Sequence, residues 1–219
     1  MDSNSLRITY VGLVIALFGV PLIVFLYSLF IVNQYTDAIV IAKEASIFLL
    51  LTLLLFIIVK GEKQPLQSIG LHNKNWLKSI KLGIGVGILM FVAIIICALI
   101  LEQFDIPVGG NEGRKYESIS LWTMSLVTIR AGIVEEVCYR GYVMERLEKL
   151  SKGNFWIYFV IPVVLFSLAH YSQGVAGFVI SFVAGAIMAY VYWKKRDLKA
   201  NIIAHFLVDF VPNVLLQLT

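Results

Sequence analysis

Seven residues in the second half of the chain carry the side chains that chemistry would need, and they fall into three groups with a recurring four-residue spacing. Glu135 and Glu136 are followed by Arg140; Phe166 is followed by His170; His205 is followed by Asp209. All three groups lie in long apolar runs, where a charge costs about 2.5–3.5 kcal/mol at a bilayer centre. On an α-helix, residues four apart share a face and adjacent residues diverge by about 100°. Glu136 and Arg140 can therefore pair along one face, with the glutamate on the favoured N-terminal side. Glu135 is turned away from that pair and has no local cation, so it is the carboxylate left over. A lone histidine in an apolar helix is usually a hydrogen-bonded structural residue. Two histidines and three carboxylates on three helices point instead to a functional site.

The elements that position these residues are membrane helices. Of 219 residues, 59% are hydrophobic and 15% charged, against roughly 45–50% and 25% in soluble domains. The apolar runs are continuous, not the roughly ten-residue alternating segments of a barrel strand. We expect an all-α polytopic bundle with about seven spans, forming a single integral membrane domain over 1–219. Spans one and two fill 1–60 (about 10–32 and 38–59). Residues 61–81 form a basic segment, read as a loop and an interfacial helix with Trp76 at headgroup level. A core over 82–219 holds spans three (82–101), four (from 119 to past Arg140), five (155–170), six (175–193) and seven (200–218).

Gly83, Gly85 and Gly87 open span three and would let another helix approach closely. Lys43 and Glu44 in span two are adjacent, so they do not share a face; Lys43 is expected to snorkel to the interface. The first apolar run is too long for a signal peptide's core and lacks a cleavage site, so it is expected to remain as a span.

The connections after spans two, four and six are rich in Lys and Arg. Those after spans one and five have none, and the one after span three has only Arg114 and Lys115. The positive-inside rule then gives a multi-pass protein of the cell membrane with a cytoplasmic N-terminus and an extracytoplasmic C-terminus. The net charge of +4 is explained by those loops. With no basic helix or aromatic-interleaved patch, nucleic acid is not an expected partner. Cys97 and Cys138 have neither the number nor the spacing for a disulfide framework or a zinc site, and read as apolar fillers.

The three groups, in this order, resemble the motifs of the type II CAAX prenyl endopeptidase family, whose bacterial members include the CAAX protease and bacteriocin-processing (Abi) proteins. The resemblance runs from about Leu71 to the C-terminus. It implies an integral-membrane bundle with a cavity facing the cytoplasm and a glutamate-dependent endopeptidase acting on membrane-associated peptides or proteins. Glu135 with His170 would activate a water, and His205 with Asp209 would stabilise the oxyanion. Arg140 would hold Glu136, and Phe166 would pack under the site. Many family members carry Asn where this chain has Asp209; an ionised Asp cannot donate to an oxyanion and would instead orient His205.

No metal or cofactor is expected. A two-His, one-carboxylate metal hydrolase and a non-enzymatic immunity or scaffold protein of the same fold are the alternatives. The substrate, whether it is prenylated, and the oligomeric state are not encoded in any motif.

Overall fold

The structure, a computed structural model, describes residues 3–29, 35–73, 75–108, 116 and 118–217. Among these residues the chain is helical and contains no strand. Helix α1 spans Ser3–Leu29 and continues through Pro21. Helix α2 spans Asp37–Gly61 and α3 spans Trp76–Glu102. Helix α4, residues 121–150, is α-helical over Leu121–Arg130, π-helical over Ala131–Met144 and α-helical again over Glu145–Leu150. Helix α5 is Trp156–Ala169, α6 is Gly174–Lys195 and α7 is Leu198–Asn213.

Five helices (α1, α2, α3, α6 and, with its terminal turn, α7) are long and apolar enough to cross a membrane. Helix α4 interrupts its apolar run with the charged residues of the site, and α5, at 14 residues, reaches only about 21 Å. Local chemistry fixes the ends. Thr36 accepts a hydrogen bond from the Ile39 amide, Ser120 from Thr123 and Asp197 from Ala200, each satisfying an otherwise free amide at a helix start. Gly70, at φ +80°, must be glycine on two counts: its backbone is left-handed, and a methyl group there would meet Tyr192 and the Arg196 carbonyl.

Helix α7 is the central element. It lies against α3 and the π-helical part of α4. Small residues make that possible: a methyl group on Gly83 would sit 2.8 Å from the Ala200 carbonyl oxygen, and one on Gly132 would sit 3.1 Å from the Phe206 amide nitrogen. Gly87 is also at the contact, whereas Gly85 faces open space. Large apolar residues of α1 and α3, such as Phe18, Phe25, Ile88 and Ile96, are exposed on the outer surface, where lipid would meet them.

Two expectations are corrected. Trp76 to Lys81 do not form a separate interfacial helix but the first turns of α3, because the apolar run and the Asn75 turn leave no break between them. Lys43 does not snorkel. It is buried with Glu44, its ammonium 3.2 Å from that carboxylate and 2.9 Å from the Tyr116 hydroxyl, and it lies against the rings of Tyr35 and Tyr116. Adjacent side chains on a helix are long enough to reach one another when a shared buried site rewards it.

Candidate active site

The π-helical stretch of α4 carries the first group of residues. Such helices close hydrogen bonds five residues apart and mostly occur as single turns; here the stretch runs for 14 residues. Five-residue spacing brings Arg130 onto the face of Glu135, and the Arg130 Nη1 donates to Glu135 Oε1 at 2.7 Å. Glu135 is therefore not an unpaired acid, which corrects the reading from α-helical spacing. The Nε of Arg130 also donates to Glu44 from α2. One guanidinium thus bridges two carboxylates, and Lys43 backs the second.

Glu136 is fully buried, with 0% of its side chain exposed. Its Oε1 accepts from Arg140 Nη1 at 2.7 Å and from His205 Nδ1 at 2.9 Å, and its Oε2 accepts from Asn201 Nδ2 at 3.0 Å. Asn201 also donates to the Met188 carbonyl at 3.0 Å, which ties α4, α6 and α7 together at one point. Arg140 completes its coordination with the Gly185 carbonyl at 3.2 Å, and its guanidinium carbon lies 4.3 Å from the centre of the Phe166 ring.

With Nδ1–H committed to Glu136, the other ring nitrogen of His205 is the one left for chemistry. His205 Nε2 lies 3.9 Å from Glu135 Oε2 and 3.5 Å from Asp209 Oδ2. His170 sits where α5 ends. Its Nδ1–H donates to the Phe166 carbonyl at 2.8 Å, so its Nε2 is the free nitrogen, and the ring is near enough to interact electrostatically with Glu135 and Asp209. The Phe166 ring packs against both imidazoles, 4.7 Å from His170 and 6.2 Å from His205 between ring centres. All seven residues singled out in the sequence thus converge on one region.

Residues 117–211 match the model of a protease family, type II CAAX prenyl endopeptidase Rce1-like. The matched stretch contains all seven residues, together with Arg130 and Asn201; Lys43 and Glu44 lie outside it. No curated protein and no solved structure matches the chain.

Four site residues were missed in the sequence. Asn201, four before His205, extends the same spacing by one step and was open to the rule that found His205 and Asp209. Glu44 was visible as a charge inside a span. Arg130 became visible only with the π-helical spacing, and Lys43 only with the fold. Among the described residues, no three His, Cys, Asp or Glu side chains converge as a metal-binding group.

Proposed function

We propose that this chain is an integral-membrane endopeptidase in which Glu135 is the general base for water attack on a peptide bond. The observation that carries the reading is the meeting of Glu135 Oε2 from α4 with His205 Nε2 from α7, 3.9 Å apart, with Asp209 beside them. That gap suits a reacting group held between acid and imidazole better than a closed structural hydrogen bond.

In the proposed reaction Glu135, assisted by the free Nε2 of His170, takes a proton from water. The resulting hydroxide adds to the carbonyl carbon of the scissile bond. His205, as the imidazolium, would offer Nε2–H to the oxyanion. The proton held by Glu135 then passes to the leaving nitrogen as the C–N bond breaks. Arg130 and Arg140 hold the two glutamates, and Phe166 supports both rings.

The proposed setting is a single membrane domain with about seven passes, in which α4 and α5 complete the bundle and the basic connections face the cytoplasm. The substrate is a membrane-associated peptide or protein.

The test is a comparison of protein termini in cells expressing wild type or Glu135→Gln at equal levels. A new terminus present only with wild type supports the proposal. Identical profiles from two folded, inserted proteins would favour a non-enzymatic role.

A further inference from the structure

Lys43, Glu44, Arg130 and Glu135 form a line of charges that runs from α2 to the site. Their signs alternate and cancel, so each buried charge has an opposite neighbour. The Lys43 ammonium lies 3.2 Å from Glu44 Oε1, and Arg130 Nε donates to Glu44 Oε2. Arg130 Nη1 then donates to Glu135 Oε1 at 2.7 Å. At the outer end, Lys43 donates to the Tyr116 hydroxyl at 2.9 Å. Its ammonium lies 5.3 and 5.2 Å from the ring centres of Tyr35 and Tyr116, which stack 4.7 Å apart.

Helices α2 and α4 are joined a second time where they begin. The Ser120 amide donates to Asp37 Oδ1 at 2.9 Å, and Ser118 Oγ donates to the Tyr35 carbonyl at 2.8 Å. Attachment at two levels resists both sliding and rotation of α2 against α4. Glu44 is therefore carried to the guanidinium by a helix whose register is set.

Arginine commonly meets a carboxylate through two parallel N–H bonds. Arg130 makes one to Glu135 and one to Glu44. Glu135 Oε2 is thereby left towards His205, 3.9 Å from its Nε2. That oxygen is the one placed to take a proton from water. A guanidinium closed on both oxygens of Glu135 would cover it.

We propose that Glu44 is a positioning residue that holds Arg130 to a single hydrogen bond with Glu135 and so keeps Glu135 Oε2 open. Lys43 and the Tyr35–Tyr116 stack hold Glu44 in turn. Without Glu44 nothing on α2 draws the guanidinium back, and its fork closes on the nearest carboxylate. Lys43 and Glu44 lie outside the stretch that matches the family model, so α2 joins the proposed catalytic apparatus. The inference rests on reading Glu135 as the base.

The test has two arms, both on the full chain. The first is a high-resolution structure of Lys43→Met/Glu44→Leu, which removes one charge of each sign; apolar replacement of a buried pair is often tolerated. Arg130 should have turned to give two hydrogen bonds to Glu135. The second arm follows the product terminus that separates wild type from Glu135→Gln. The double variant should lose that product at least about tenfold, as displaced reacting groups do, while melting within a few degrees of wild type. In an Arg130→Lys background, where no fork is left to close, the same pair should lower product by less than about twofold. Should the double variant fail to fold, Glu44→Gln is read in the same two ways. A single bond from Arg130 to Glu135 in the variant would overturn the inference, as would wild-type product levels. A loss that recurs in full with Arg130→Lys would make the pair merely structural and overturn it too. The structural arm does not depend on turnover, so absence of any wild-type product would remove the protease reading while the turn of Arg130 still decides what Glu44 does.

Discussion

Arg130 and Glu135 are five residues apart in sequence and joined by a 2.7 Å hydrogen bond, a pairing that a π-helical register permits and an α-helical one does not. The consequence is that the proposed base is held in position by a guanidinium that also holds Glu44 from another helix. Orientation of the carboxylate towards His205 is thus set by three helices.

Removing that guanidinium should separate folding from positioning. Arg130→Gln leaves two buried carboxylates short of a partner, and breaking a buried pair from one side costs about 3–5 kcal/mol. Its melting temperature in detergent is expected to fall markedly. Arg130→Lys keeps the charge, but an ammonium lacks the planar fork that serves both carboxylates. It should fold and yet lose product on the order of 10²-fold, as misplaced reacting groups do. Wild-type product levels with Arg130→Lys would show that the bridge has no part in positioning.

The two adjacent glutamates should behave differently. Glu136 accepts three hydrogen bonds in full burial, so Glu136→Ala would take the charged partner from Arg140 and an acceptor from Asn201 and His205, leaving Arg140 and Asn201 only their carbonyl acceptors, and destabilise the bundle by about 3–5 kcal/mol. Glu135→Gln keeps the shape and an acceptor oxygen for Arg130. It should melt within a few degrees of wild type while losing cleavage by about 10²–10⁴-fold, the usual range for a general base. Thermal unfolding measured beside product abundance checks both, and equal melting losses would count against the division of roles.

Asp209 has two conceivable tasks, to orient His205 as a carboxylate or, as the neutral acid, to donate to the oxyanion beside His205, and the geometry favours the second. His205 is already oriented through Nδ1 by Glu136 at 2.9 Å, while Asp209 stands 3.5 Å from Nε2, outside the usual range for a strong hydrogen bond. An orienting role would duplicate what Glu136 does. Asp209→Asn, which supplies an N–H donor at the same place, is therefore expected to retain cleavage within about threefold, whereas Asp209→Leu should lose about 10²-fold, as for a deleted oxyanion donor. Loss of activity in Asp209→Asn comparable to Asp209→Leu would return the residue to an orienting role.

Periodicity and charge cost made much of this legible. Long uninterrupted apolar runs located the helices, though not the less apolar first turns of α1 and α3, and ionisable groups stood out because hydrocarbon penalises them. What stayed hidden depended on two kinds of information that spacing does not carry. The register of α4 is one: Gly132 and Gly141 flank Glu135 and Arg140, but nothing in their identity announces a π-helix, so α-helical spacing leaves Arg130 and Glu135 on different faces. Contacts between distant helices are the other. Lys43 and Glu44 looked like an interfacial pair until α2 was seen to place them against Arg130, 86 residues away in sequence.

The close seating of α7, on which His205 and Asp209 depend, can be tested away from the chemistry. Gly83 and Gly85 are two residues apart on α3 and look alike in sequence. A methyl group at Gly83 would press on the Ala200 carbonyl oxygen and Ile203, all at 2.8 Å, whereas one at Gly85 would meet nothing within 4 Å. Backbone cannot swing aside as a side-chain tip can, so Gly83→Ala must push α7 outward, at a cost of about 1–3 kcal/mol for overpacking. It should also lower cleavage by displacing His205 relative to Glu135. Gly85→Ala gains helix propensity of up to about 1 kcal/mol and should leave both melting temperature and product at or above wild type. Equal effects from the two substitutions would mean that α7 does not rest on this face of α3.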